Sequence, residues 1–336
     1  MKFVTFRDSK NAQQLGLLVD LSDGNGTDTV IDVCAAAATL QIQVENDMLG
    51  VIEHSTSALP KLHKIQEAAR AGKLDASTKL SLQKLESDQR LLSPIPRPLS
   101  MRDGYAFRQH VESARRNRGL PMIPEFDNFP IYYYTNHLAV TGPGTISVQD
   151  LALDKCDFEL EVAIVIGKGG KNIPASKADE HIFGYMIMND WSARTLQMEE
   201  MKLNLGPAKG KDFATSLGPV LLTRDELEKF VEKGPNGERH NLRMKCFVNG
   251  KQVSDGNLKD MSWTFAQIIE RCSYGVMLHP GEVIGSGTVG TGCFLELNGS
   301  KITDNQWLKP GDEVVLEVDQ LGKLVNKIAH ATSAQV

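Results

Sequence analysis

The chain has 336 residues, 41% of them hydrophobic and 24% charged, a composition that fits an ordinary globular protein of one large domain or two. A formal net charge of -5 gives no electrostatic footprint for nucleic acid or an anionic membrane, so neither partner is expected. The five cysteines (Cys34, Cys156, Cys246, Cys272 and Cys293) are scattered and odd in number, with no C-x-x-C pair, which argues against a disulfide scaffold or a thiolate zinc site.

The opening MKFVTFRDSK turns polar within its first ten residues and has no apolar core of the secretory kind. No run approaches the roughly 18 apolar residues that span a bilayer. The cytosol is the expected compartment, where the sequon Asn298-Gly299-Ser300 has no meaning.

Residues 1–95 are expected to form a smaller N-terminal α/β unit and residues 96–336 the main domain. A strand over 2–6 pairs with one over 15–20, and helix formers dominate 30–44 and 58–92. His54 and His63 read as surface or packing histidines. Ser93-Pro94-Ile95-Pro96-Arg97-Pro98 reads as a linker, because alternate prolines suit neither a helix nor an inner strand.

After it, a helix is expected from Asp103, with Phe107, His110, Val111 and Ala114 on one face. On residues alone Asp103 is an N-cap and His110 a core histidine. Residues 130–134 are aromatic and β-prone. Residues 157–167 (DFELEVAIVIG) read as a strand buried on both faces, with Glu159 and Glu161 pointing the same way. Two such carboxylates repel each other and resist desolvation unless a cation or hydrogen bonds compensate. The bland alternative is a strand end emerging into water.

A strand over 182–188 runs through Asn189-Asp190-Trp191-Ser192 into a helix on which Arg194, Gln197 and Met201 share a face; Asp190 or Ser192 could be no more than its N-cap. Residues 206–211 form a loop and 220–223 a strand. The last third is mainly β. A hairpin over 243–254 turns at Asn249-Gly250, one helix spans 264–272, and short strands fall at 283–284, 293–297, 301–303 and 313–318, the last after the turn Lys309-Pro310-Gly311-Asp312. The whole reads as a β-rich α+β domain rather than a βαβ series.

Three motifs fail. Gly285-Ser286-Gly287-Thr288-Val289-Gly290 matches the dinucleotide fingerprint in letters, but a strand rather than a helix is expected to follow. Residues 206–211 are one short of a phosphate loop, with Asp212 where Ser or Thr is needed. No G-x-S-x-G elbow is present.

Three segments together resemble the fumarylacetoacetase family: Arg102-Asp103-Gly104-Tyr105 with Arg108-Gln109-His110, Asp157-Phe158-Glu159-Leu160-Glu161, and Met188-Asn189-Asp190-Trp191-Ser192-Ala193-Arg194 with Gln197. The resemblance covers about residues 95–325. It implies a mixed β-roll or β-sandwich catalytic domain behind a smaller N-terminal region. It also implies a divalent cation held by Asp103, Glu159, Glu161 and Asp190, with Lys211 and Thr215 beside it. An all-oxygen carboxylate set suits Mg²⁺ or Ca²⁺, with Mn²⁺ allowed, better than Zn²⁺. Further implied are a His110–Glu296 dyad that activates water, Arg194, Gln197 and Lys211 on the substrate carbonyl, and substrate contacts from Tyr105, Arg118, Tyr133 and Thr288. Members are commonly homodimers.

The sequence departs from the family's pattern at Gly104, where a bulky aromatic is expected, at Met201, where a Tyr is expected, and in a shorter loop between Thr288 and Glu296. The expected function is cation-dependent hydrolysis of a carbon–carbon bond in a β-diketo acid such as fumarylacetoacetate or an acylpyruvate. The rivals are a decarboxylase, isomerase or hydratase of 2-keto acids on the same fold, and a catalytically silent binder of small molecules or metal.

Overall fold

Every residue of the strand Leu160–Ile166 is buried, in a computed structural model that describes residues 1–21, 29–117 and 119–331. Its apolar side chains alternate between two cores. Leu160, Val162, Ile164 and Ile166 enter one, Ala163 and Val165 the other. Apolar residues at both parities therefore give a strand with a layer on each side, as the sequence predicts.

Antiparallel neighbours flank it, Ile182–Asp190 on one edge and Val283–Gly285 on the other. Met101–Gly104 runs parallel to Val283–Gly285, and Tyr132–Tyr134 closes that side. Beyond Ile182–Asp190 come Leu221–Thr223 and then Lys2–Arg7, Gln13–Val19, Thr29–Asp32 and Lys79–Ser81, in one continuous sheet. The expected pairing of the first two strands is present, in register from Lys2↔Leu18 to Arg7↔Gln13.

The helices Val33–Leu40, Met48–Glu53 and Ser55–Arg70 lie over the face that carries Ala163, Val165, Met186 and Met188. Residues before 95 and after it thus share a sheet and a core. The proline-rich segment is pinned rather than free, for Thr5 donates to the Pro94 carbonyl at 2.7 Å and Ile95 is fully buried. On the opposite face a second sheet runs in the order Lys251–Asn257, Arg243–Val248, Glu313–Val318, Gly322–His330 and Gly144–Val148. Its Met244, Cys246, Leu316 and Leu324 pack with Val162 and Ile164. Two packed sheets with helices outside make the α+β architecture expected.

Local chemistry explains the elements that match. Asn249 and Gly250 have φ of 51° and 77°, the left-handed pair that a type I′ hairpin turn requires. Thr264 caps the helix Phe265–Ser273 through a full capping box with Gln267.

Several expectations need correction. Asp103 is no N-cap. It lies within the strand Met101–Gly104, where pairing with Gly285 and Tyr133 fixes its backbone, and the helix starts only at Arg108–Arg116. Residues 293–297 are not a strand but lead into the helix Phe294–Gly299. A short apolar run cannot choose between the two by periodicity, and the Asp157 carboxylate decides by accepting from the Phe294 and Leu295 N–H groups at 2.8 and 2.9 Å. Residues 301–303 form a turn after that helix, with Lys301 at a φ of 57°. Val30 and Ile31 are in a strand, not a helix. Among the strands that the sequence reading lacks are Gly144–Val148 and Gly322–His330, which pair in parallel. Among the described residues no helix is long and apolar enough to cross a membrane.

Candidate active site

Three strands of the first sheet bring acidic residues to one place. Asp190 closes Ile182–Asp190, Glu161 is second in Leu160–Ile166 with Glu159 just before it, and Asp103 is third in Met101–Gly104. Antiparallel register sets Glu161 against Met188, and parallel register sets Asp103 against Gly285. The four carboxylates converge, each offering an oxygen within 4.8 Å of the others, and all are buried.

The backbone must come close here. A Cβ on Gly285 would stand 2.4 Å from Asp103 Oδ1, so a side chain there would displace that carboxylate. Gly287, at a φ of 78°, donates its N–H at 3.1 Å to both Asp103 and Glu161. Gly285 and Gly287 of the false nucleotide fingerprint therefore serve carboxylates. A helix does follow them, contrary to expectation, but it has six residues, and the strand before it pairs antiparallel with its central neighbour. No βαβ unit exists there, so rejection of the motif stands on other grounds.

Cationic groups enter from the helix Arg194–Glu200 and the loop after it. Lys211 Nζ donates to Glu159 at 2.5 Å and to Asp190 at 2.7 Å. Arg194 reaches Glu159 at 2.8 Å, Asp157 at 2.8 Å and the Gln197 side-chain oxygen at 3.0 Å. Burial would raise Glu159, but Lys211, Arg194 and His110 hold it down to about 2. Burial and Asp190 push Asp103 up to about 8. Burial and Asp103 push Glu161 well up. Burial raises Asp190 as well, with Lys211 opposing. Two cations do not offset four buried carboxylates.

An orphaned atom points the same way, since Asp190 Oδ1 is buried without a partner, as is Thr215 Oγ1 on the adjacent strand. An oxygen-rich, under-compensated cage fits a hard divalent cation. Asp103, Glu159, Glu161 and Asp190 would hold it.

The dyad is formed. His110 Nδ1 lies 2.7 Å from Glu296 Oε2, both side chains being buried. Their helices, Arg108–Arg116 and Phe294–Gly299, pack together. Tyr105 stands edge-on to the His110 ring at 5.8 Å. Tyr133 donates its hydroxyl to Asp190, and burial and Asp190 keep that phenol protonated by pushing it well up. Thr288 Oγ1 donates to Glu161 at 3.4 Å. Arg118 lies outside the described residues. Met201 is 45% exposed in a turn after the helix of Arg194 and Gln197, so it does not share their burial.

Sequence reasoning assigned no role to Asp157, Asn189 or Glu200. Asn189 accepts the Glu159 N–H at 2.9 Å through its side chain. Glu200 accepts the N–H groups of Ala208, Lys209 and Gly210 at 2.8, 2.8 and 3.0 Å, which shapes the loop that presents Lys211. A carboxylate that binds a turn's backbone leaves no spacing to read. Asp157 is the exception, for it opens the very segment that carries both glutamates.

A cation that binds only the folded chain should raise the melting temperature, by about 2.7 kcal/mol of stability at a hundredfold excess over Kd. Asp190→Ala should remove most of that shift. Asp103, Glu161 and Asp190 hold protons more tightly folded than unfolded, so the cation-free fold should lose stability as pH rises from about 4 toward about 8. Melts at several pH values, with and without Mg²⁺, Ca²⁺ or Mn²⁺, check both. A flat response to all three ions contradicts the cation site.

The chain is similar to several known proteins. The family model described as "Fumarylacetoacetate (FAA) hydrolase C-terminal" matches residues 100–329. Oxaloacetate tautomerase YisK of Bacillus subtilis (strain 168) is 30% identical over 248 residues, 72% of this chain and 74% of that protein. Fumarylacetoacetase of Oryza sativa subsp. japonica is 31% identical over 286 residues, 68% of this chain and 66% of that one. A fumarylacetoacetate hydrolase structure from Exiguobacterium antarcticum superposes with a TM-score of 0.68 at 23% identity, covering 98% of this chain and all of that one, which supports the fold.

Proposed function

This chain belongs to the fumarylacetoacetate hydrolase family, and from that premise we propose that it is a cation-dependent hydrolase that cleaves a carbon–carbon bond in a β-diketo acid. The observation that carries the reading is the buried His110–Glu296 pair beside the carboxylate cage. A bound cation would polarise the substrate's chelating oxygens as a Lewis acid.

The chain's own groups supply the rest. Glu296 accepts a hydrogen bond from the Nδ1–H of His110, which leaves Nε2 as the acceptor for a proton from water. Glu296 then stabilises the imidazolium that forms. Arg194 occupies the side-chain oxygen of Gln197, which leaves the amide NH₂ as a donor. With Lys211, these donors face the oxygen on which charge develops. The protonated imidazolium returns its proton to the departing carbanion or enolate.

A second reading is tautomerisation, favoured by the relatives of that name at about 30% identity. There His110 would carry a proton between carbon and oxygen, and no water would be consumed. Incubation with acylpyruvates, fumarylacetoacetate and oxaloacetate in heavy water separates the two. Hydrolysis yields two carboxylic or keto-acid products, whereas tautomerisation only exchanges deuterium into an intact substrate. Exchange without cleavage across the panel would refute the hydrolase.

Met201 replaces a residue that could offer a hydroxyl hydrogen bond with a flexible apolar one. Fumarylacetoacetate is therefore expected to have a lower kcat/KM than some other diketo acid. Steady-state kinetics over the panel measure this, and fumarylacetoacetate ranking first would contradict it.

A further inference from the structure

We infer that Asp157 is a positioning residue that sets the geometry of the dyad and of Arg194 together; the inference rests on the hydrolase reading of the same site. The Asp157 carboxylate is completely buried and accepts four hydrogen bonds. Oδ1 accepts from the Phe158 and Phe294 N–H groups at 2.9 and 2.8 Å. Oδ2 accepts from the Leu295 N–H at 2.9 Å and from Arg194 Nε at 2.8 Å. These fill the lone-pair positions of a carboxylate, so Asp157 has no capacity left to touch substrate.

What it holds is informative. Phe294 and Leu295 open the helix that carries Glu296, so Asp157 fixes the start of the element that orients His110. Through Nε it sets the plane of the Arg194 guanidinium, whose other arms reach Glu159 and Gln197. Its own strand, Cys156–Asp157, pairs with Ser192–Ala193, immediately before Arg194. Glu159 follows it by two residues. One carboxylate thus ties the proton-transfer pair to the charge-stabilising group, although it belongs to neither. Every donor it meets is an N–H, so an acceptor on both oxygens is required, and only an ionised carboxylate offers that in this volume.

Two substitutions separate the halves of this role. In Asp157→Asn one oxygen becomes an NH₂, which must face an N–H of the helix or of Arg194. In Asp157→Ser the hydroxyl can still accept from an N–H at the start of the helix, but it no longer holds Arg194. Both variants are expected to fold, to keep the cation-dependent melting shift, and to lose about 10²-fold in kcat with KM changed far less, since misplacement of about 1 Å costs that much. A purely structural aspartate would lower the melting temperature and leave kcat per folded molecule unaltered.

The closing experiment measures kcat, KM and melting for the parent, both Asp157 variants, Glu296→Gln and the double Asp157→Ser/Glu296→Gln. A double that loses much less than the product of the single losses supports the coupling. Parental kcat in folded Asp157→Asn and Asp157→Ser overturns the inference, and so does failure of both to fold, which would make the carboxylate a support of the fold. A parent that binds cation yet cleaves no diketo acid refutes the hydrolase reading instead. In that event the same variants are scored on deuterium exchange, where unaltered rates overturn the inference independently.

Discussion

His110→Ala is expected to lower turnover by about 10²–10⁴-fold, the span that a positioned general base contributes. His110 does not belong to the carboxylate cage, so cation-dependent melting should persist in this variant. Glu296→Gln should cost less. The amide still holds Nδ1–H through its oxygen but no longer balances the positive ring. The double variant should be scarcely worse than His110→Ala, because both changes disable one proton transfer. If His110 were only a packing histidine, the three variants would melt lower, lose stability additively and turn over normally per folded molecule. A folded, cation-binding His110→Ala enzyme at near-parental rate would remove the water-activation step and leave proton shuffling without cleavage as the chemistry.

The cage as a set of four was legible through resemblance, since on residues alone Asp103 and Asp190 read as N-caps. DFELE places two glutamates on one strand face before a stretch that is apolar at both parities, a pattern that fits a buried, compensated pair and a solvated strand end alike. The dyad was legible only through resemblance. His110 and Glu296 are 186 residues apart, and nothing in FLEL distinguishes a catalytic glutamate from a solvated one. The same stretch misled on secondary structure. Its apolar and polar residues alternate over too few positions to separate a strand from a helix, and the deciding interaction comes from Asp157, in a distant part of the chain. Asp103 misled for a related reason. An aspartate before a helical pattern is a sound N-cap candidate, but sheet pairing on both edges of Met101–Gly104 outweighs the local preference. Where long-range contacts set the outcome, as in the parallel pairing of Gly144–Val148 with Gly322–His330, local patterns had little to offer.

Lys211→Met is expected to destabilise the cation-free protein by about 3–5 kcal/mol, the usual result of removing one partner from a buried ion pair. Burial would lower Lys211, but Asp190 and Glu159 raise it, so the ammonium is charged throughout the accessible pH range. Removing it leaves Glu159 with Arg194 alone and Asp190 with the Tyr133 hydroxyl alone, each still buried. The cost arises from those stranded carboxylates, not from a large net gain of the pair, which desolvation largely cancels. Divalent cation should therefore recover part of the loss, because it supplies positive charge to the same oxygens, and the melting shift on adding cation should be larger in the variant than in the parent. Turnover should stay about 10²–10³-fold down even when stability is restored, since the donor to the developing oxyanion is still missing. Chemical denaturation with and without cation, beside rates at saturating cation, distinguishes the two effects. Parental stability without cation would mean that Lys211 does not compensate the cage, and parental turnover with cation would remove it from the chemistry.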